Sequence, residues 1–210
     1  MRSVWIALQV FVGVALFASD YQIKNAPVLP IESYPARITL GGVTIAADPY
    51  ATDEKCLNAF AIKNMNSRGY FPVHVIIQNN SSDFLTIQTR NILLVTRLGQ
   101  QLYTTPASMV VDDVGKSGKA KKSSSANSGD RSSSPRPGSA GTDLTSRELT
   151  NTQLDPGNVV DGFLFFFTPR PRSNPLIGGT LYIPKIEVEG THKPLGPFAI
   201  PLDPAISLSP

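Results

Sequence analysis

Few side chains in this sequence are suited to chemistry at neutral pH, and they are widely spaced. The chain holds one cysteine, Cys56, and two histidines, His74 and His192. A nucleophilic cysteine needs a thiolate-favouring setting and a histidine beside it. Cys56 lies in ATDEKCLNAFAI, where Thr52 can cap a short helix with Leu57 and Phe60 turned inward. A lone thiol in such a stretch reads as a small buried hydrophobe. His74 lies in FPVHVIIQ, which alternates as a strand. Phe71, Val73, Val75 and Ile77 share one face, and Pro72, His74, Ile76 and Gln78 share the other. The second face is the more polar, so His74 is expected to be a partly exposed or hydrogen-bonded strand histidine. His192 stands in the loop-like EGTHKPLG.

No H-x-x-H, H-x-H or C-x-x-C spacing is present, so there is no zinc signature. Asp112-Asp113 lacks the D-x-D-x-D-G spacing of a calcium loop, and Glu148, Asp155 and Asp161 are scattered. G-x-S-x-G, P-loop and dinucleotide fingerprints are absent. No catalytic, cofactor-binding or metal-binding residue is assigned, and no cofactor is implied.

The elements that must position these residues are short. The 210-residue chain is 41% apolar and 17% charged, with 18 prolines and 16 glycines. That balance suits one globular domain of many short strands joined by turns. ARITLGGVTIAADPY is a strand with a bulge at Gly41-Gly42, or two short strands. FLTIQ and NILLVTRLGQQLY continue the alternation, the second through a Leu-Gly turn. NNSSD and DPG are turns with a mechanism, since Pro156 presets φ and Gly157 tolerates positive φ. The overlapping sequons at Asn79 and Asn80 read as part of a polar turn. In GFLFFF, Phe163, Phe165 and Phe167 share one face and Leu164 and Phe166 the other, as in a strand buried on both sides. Pro184 and Pro201 mark edges or bulges. The expected fold is all-β, an antiparallel sandwich of about seven to eight strands without strong amphipathic helices.

Two segments stand outside that domain. Residues 1–19 carry Arg2 and then an apolar run from Val4 to Ala18, interrupted only by Gln9. This is the layout of a secretory signal peptide or an uncleaved N-terminal anchor. Residues 20–35 read as a linker and 36–205 as the sandwich domain. The stretch 115–141, GKSGKAKKSSSANSGDRSSSPRPGSAG, interrupts the domain and has the composition of a disordered insertion. Lys116, Lys119, Lys121, Lys122, Arg131 and Arg136 against Asp130 give it a net charge of +5. The chain totals +3, so the rest sums to −2. These six residues are candidate contacts to a polyanion or an anionic membrane surface. No aromatic residue interleaves with them, so specific nucleic-acid binding has no support.

LDPGNVVDGFLFFFTP resembles the PG…G…F…P strand of immunoglobulin-like sandwich domains in exported bacterial proteins of unknown function. GVTIAADPY followed by GYFPVHVIIQNNSSDFLTI resembles their front half. The likeness runs from about Ile38 to Leu202, apart from the insertion. It implies an immunoglobulin-like sandwich and carries over no catalytic residues. The sequence therefore points to a non-catalytic exported interaction or structural module of the cell envelope. Its location would be periplasmic, extracellular or anchored to the inner membrane, and its partner an unidentified protein or envelope component. The alternative is a secreted hydrolase using Cys56, or a turn serine, with His74 or His192.

Overall fold

The longest strand-like run of the sequence occupies the middle of a wide antiparallel sheet. A computed structural model describes residues 28–116, 140–169, 173–190 and 193–207. The strands are β1 (Arg37–Leu40), β2 (Val43–Pro49), β3 (Tyr70–Asn79), β4 (Leu85–Ile87), β5 (Leu93–Val95) and β6 (Gln101–Thr105). They continue with β7 (Thr152–Leu154), β8 (Val159–Phe167), β9 (Thr180–Ile183), β10 (Ile186–Val188), β11 (Pro194–Leu195) and β12 (Phe198–Pro201). The helices are α1 (Asp53–Phe60), α2 (Ala107–Lys116), α3 (Ala140–Ser146) and α4 (Asp203–Ile206). No helix among the described residues is long and apolar enough to cross a membrane.

The long sheet has eight strands in the order β1-β2-β3-β8-β6-β5-β9-β12, and the small sheet has four, β11-β10-β4-β7. All strand pairs are antiparallel. β1 lies against β12, so the long sheet curls until its two edges approach and is nearly barrel-like. The chain is thus mostly β, as expected. The strands outnumber the expected seven to eight because turns split runs that read as single strands. Gly41 and Gly42, with φ of 57° and 79°, turn ARITLGGVTI into the β1–β2 hairpin. Such φ values cost an L side chain energy that glycine avoids.

Period-two alternation builds the main core. Phe71, Val73, Val75 and Ile77 of β3 and Leu164 and Phe166 of β8 point inward. They meet Leu85, Ile87, Leu154 and Ile186 of the small sheet. The opposite face of β3 and β8 is buried as well, because helices lie on it. Cys56, Ala59 and Phe60 of α1, Ala107 and Val110 of α2 and Leu144 of α3 cover Tyr50, Tyr70, Phe163 and Phe165. The short helix expected after Thr52 is α1; α2 and α3 were not expected and add a helical layer to the sandwich read from the sequence. In α2, Ala107, Val110, Val111 and Val114 recur at i, i+3, i+4 and i+7. Each helix is too short to be stable alone, so the stripe has meaning only once a sheet lies beneath it. In α1 the inward residues are Cys56, Ala59 and Phe60, with Leu57 only partly buried.

Gly115 and Lys116 close α2, and Ala140 and Gly141 open α3. The remainder of the expected insertion, 117–139, lies outside the described residues, as do 1–27. Part of the expected linker packs onto the sheet: Ile31 and Tyr34 form a small buried cluster with Ala46 and Ile76.

After α3 the chain runs beside β8. Phe163 donates its amide to Arg147 O at 2.7 Å, and Leu149 donates to Phe163 O at 2.9 Å. Gly162 makes this approach feasible, since a Cβ there would sit 2.8 Å from the Leu149 backbone. We expect Gly162→Ala to lose about 1–3 kcal/mol of stability by overpacking, and Phe165→Ala about 3–5 kcal/mol by leaving a cavity. Urea unfolding of both variants checks this; a silent Gly162→Ala would contradict the close approach.

Candidate functional site

Strand register gathers most of the polar groups of the covered face into one place. Asp48 of β2, His74 of β3 and Phe163 of β8 are direct cross-strand partners and share the outer face. On one side of this row lie the helices. On the other lies the strap of residues 28–35, with Ile31 and Tyr34 over Ala46 and Ile76. The row occupies the seam between the two coverings.

His74 is 2% exposed. Its Nε2 stands 2.7 Å from Asp161 Oδ2, and its ring stacks on Phe163 at 4.6 Å. The expectation of hydrogen bonding holds; that of partial exposure does not, because strap and helices close over a face that looked polar in sequence. The Asp161 partner, 87 residues away, was invisible in the sequence, where Asp161 was one scattered carboxylate.

A groove of about 560 Å³ opens above the seam. Its titratable lining groups are Tyr34, Asp48, Glu54 and Lys55, and Leu29 and Ile206 are among its apolar sides. Lys55 Nζ donates to Asp48 Oδ1 at 2.5 Å and Pro49 O at 3.1 Å, and sits 4.7 Å from the Tyr50 ring centroid. Its donors therefore serve the groove wall. The Tyr34 phenol is held above its ordinary value, chiefly by burial, with Asp48 and Asp161 adding to the shift and the hydrogen bond from the Leu29 amide opposing it. A second cavity of about 630 Å³ lies between Thr89-Arg90, the end of β6 and the Glu148–Asn151 stretch, with Arg90 and Glu148 on its walls.

Cys56 is fully buried on α1. Thr52 caps that helix by accepting from the Lys55 amide at 3.1 Å, as expected. The thiol faces Tyr50 O and Asn66 Oδ1, both at 3.6 Å. Burial and then the Asp53 carboxylate push its pKa up to about 12, with Lys55 pulling the other way. A thiol so placed is protonated at neutral pH and sealed from solvent, whereas a nucleophile needs the reverse. Asp143 and Arg147, neither singled out in the sequence, lock the helical layer. Arg147 Nη2 donates to Asp143 Oδ2 at 2.5 Å and Ala59 O at 2.7 Å, and its guanidinium lies 4.7 Å over Phe60.

The other expected groups are dispersed. Asp112 and Asp113 are exposed on α2, and Asp113 hydrogen-bonds the Tyr70 phenol. Glu148 lines the second cavity, and Asp155 opens the Pro156-Gly157 turn. Among the described residues no group of three or more His, Cys, Asp or Glu could hold a metal ion. Lys116 closes α2. Lys119, Lys121, Lys122, Arg131, Arg136 and His192 lie outside the described residues.

No protein-family model matches the chain, and no curated protein matches it. Among solved structures it is similar to the yjhA protein from Bacillus subtilis, at 11% identity and a TM-score of 0.37, over 71% of this chain and 77% of that one. It is also similar to ycdA from Bacillus subtilis subsp. subtilis str. 168, at 11% identity and a TM-score of 0.39. That likeness covers 80% of this chain and 39% of the other. Resemblance this slight assigns neither family nor activity.

The state of Cys56 has a measurable consequence. Its folded pKa lies above the ordinary 9.0, so the folded state holds the proton more tightly than the unfolded state does. This contribution to stability is complete below about pH 9 and disappears as pH rises towards 12. We expect the melting temperature to fall across that window, and less steeply in Cys56→Ala. In the native protein at pH 8 the thiol should resist a thiol-specific disulfide reagent and react only on unfolding. Rapid native-state labelling would contradict the burial.

Proposed function

We propose that the chain is a non-catalytic interaction module of the cell envelope, exported by its N-terminal segment and built on an immunoglobulin-like sandwich. One observation carries the non-catalytic part: the two described groups best suited to nucleophilic chemistry are used in packing. The Cys56 thiol is buried and protonated, and His74 is 2% exposed, bonded to Asp161 and stacked on Phe163. Two antiparallel sheets over a shared core support the sandwich reading. The Arg2 and Val4–Ala18 pattern supports export. The partner is a protein or another component of the envelope.

The +5 charge of 115–141 supports a second contact, to a polyanion or an anionic lipid surface. Such attraction is long-ranged and screened by salt.

Two measurements test these readings. N-terminal sequencing of envelope and soluble fractions should find either a start near Ala18–Asp20 or an intact chain in the membrane. Intact Met1 in cytosolic protein alone would overturn export. Replacing 117–139 with a short Gly-Ser linker should shift the melting temperature by only a few degrees, because loop closure changes by about 0.6 kcal/mol per doubling of length. The same variant should lose salt-sensitive binding to anionic vesicles. Unchanged binding would remove the polyanion contact.

A further inference from the structure

The outer face of the long sheet is covered over only part of its width. Helices and strap lie on β2, β3 and β8. Beyond β8 the sheet continues through β6, β5, β9 and β12, where no described helix lies on it and its outward residues are half-buried or exposed. One cross-strand row runs from the covered part into the open part. Tyr70 pairs with Phe167, and their rings lie 4.9 Å apart. One step beyond the Thr104↔Phe166 pair, Phe167 comes opposite Tyr103. Tyr103 pairs with Leu93, Leu93 with Tyr182 and Tyr182 with Ala199. Exposure rises as the helices end: Tyr70 6%, Phe167 38%, Tyr103 63%. Leu93 and Tyr182 are half-buried and Ala199 is exposed.

We propose that this row, with Phe167, Tyr103 and Tyr182 as its rings, binds an uncharged, β-linked glycan chain. Adjacent strands lie about 4.8 Å apart, so Tyr103 and Tyr182, two strands apart, stand roughly 10 Å from each other. That spacing suits two rings under alternate sugars of an extended chain. The C–H-bearing face of a pyranose packs on an aromatic ring, and each tyrosine adds a hydroxyl that donates and accepts. The neighbouring row, Gln101, Val95, Thr180 and Pro201, adds an amide and a hydroxyl for sugar hydroxyls.

Charge and size select this occupant. Neither row contains an ionisable acid or base other than the tyrosine phenols, so the two rows themselves offer a polyanion no charged contact. A stable protein–protein contact engages about 20–30 residues a side. The two rows together offer nine, enough to carry sugar rings but fewer than a lasting second copy needs. This ligand class deepens the interaction-module reading and rests on it.

The test uses the full chain and a panel of chitohexaose, cellohexaose and heparin, followed by calorimetry and affinity electrophoresis. Binding to at least one neutral hexasaccharide is expected, insensitive to salt and not displaced by heparin. Tyr103→Ala and Tyr182→Ala should each weaken it at least tenfold with an unchanged melting temperature, and Tyr103→Phe should keep most of it. Failure to bind either neutral glycan, or equal binding by Tyr103→Ala, would overturn the proposal. So would finding that Tyr103 governs self-association instead. A module that fractionates with the envelope yet binds no neutral glycan would sink this inference and leave the interaction reading standing.

Discussion

The pairing of β3 with β8 is the contact on which the rest of the molecule depends. It runs without interruption from Tyr70↔Phe167 to Gln78↔Val159. Side chains alternate across it, so a slip of one residue would send Leu164 and Phe166 outward and Phe163 and Phe165 into the main core. Both sets are large and apolar, so only covering both faces satisfies the strand. One face meets the small sheet. The other recruits α1, α2 and α3, and through them Asp143 and Arg147.

That double burial decides which chemistry the covered region can support. The layer that shields Phe163 and Phe165 also closes over Cys56, and strap and helices together enclose His74. Desolvation disfavours the thiolate, so Cys56 becomes a core residue. His74 finds in Asp161 a partner for its ring nitrogen and in Phe163 a stacking surface. The same sheet, continued through β6, β5, β9 and β12, receives no such layer from the described residues, and its aromatic row runs out to Tyr103, the most exposed ring of the row. A single curled sheet thus has a sealed half that stabilises and an open half free to bind.

How much of this the sequence disclosed depends on the range of each interaction. The alternation of FPVHVIIQ and GFLFFF, the Gly41-Gly42 and DPG turns and the Thr52 cap are local, and all appear where the residues placed them. Of the helical layer only α1 was legible; α2 and α3 were not, because the short apolar stripe of α2 stabilises a helix only against Tyr70 and its neighbours. The sequence left His74 either partly exposed or hydrogen-bonded, because its partner Asp161 and its cover come from residues distant in sequence. The aromatic row was least legible of all. Phe167, Tyr103 and Tyr182 come from three separate strands, and only the register β8-β6-β5-β9 aligns them.

The central claim is that one half of the long sheet is sealed and the other open, and chemical modification of the tyrosines tests it most directly. Tyr50 is buried against Phe60 and Phe163, its phenol raised above its ordinary value chiefly by desolvation. Tyr70 is 6% exposed, and Tyr103 is 63% exposed. Under limiting nitration of the native protein, followed by peptide mapping, Tyr103 should be the first of the described tyrosines to be modified and Tyr182 the next. Tyr50 and Tyr70 should react only after unfolding. Modification of Tyr50 or Tyr70 as fast as Tyr103 would show that the helical layer does not seal the sheet, and would contradict the account.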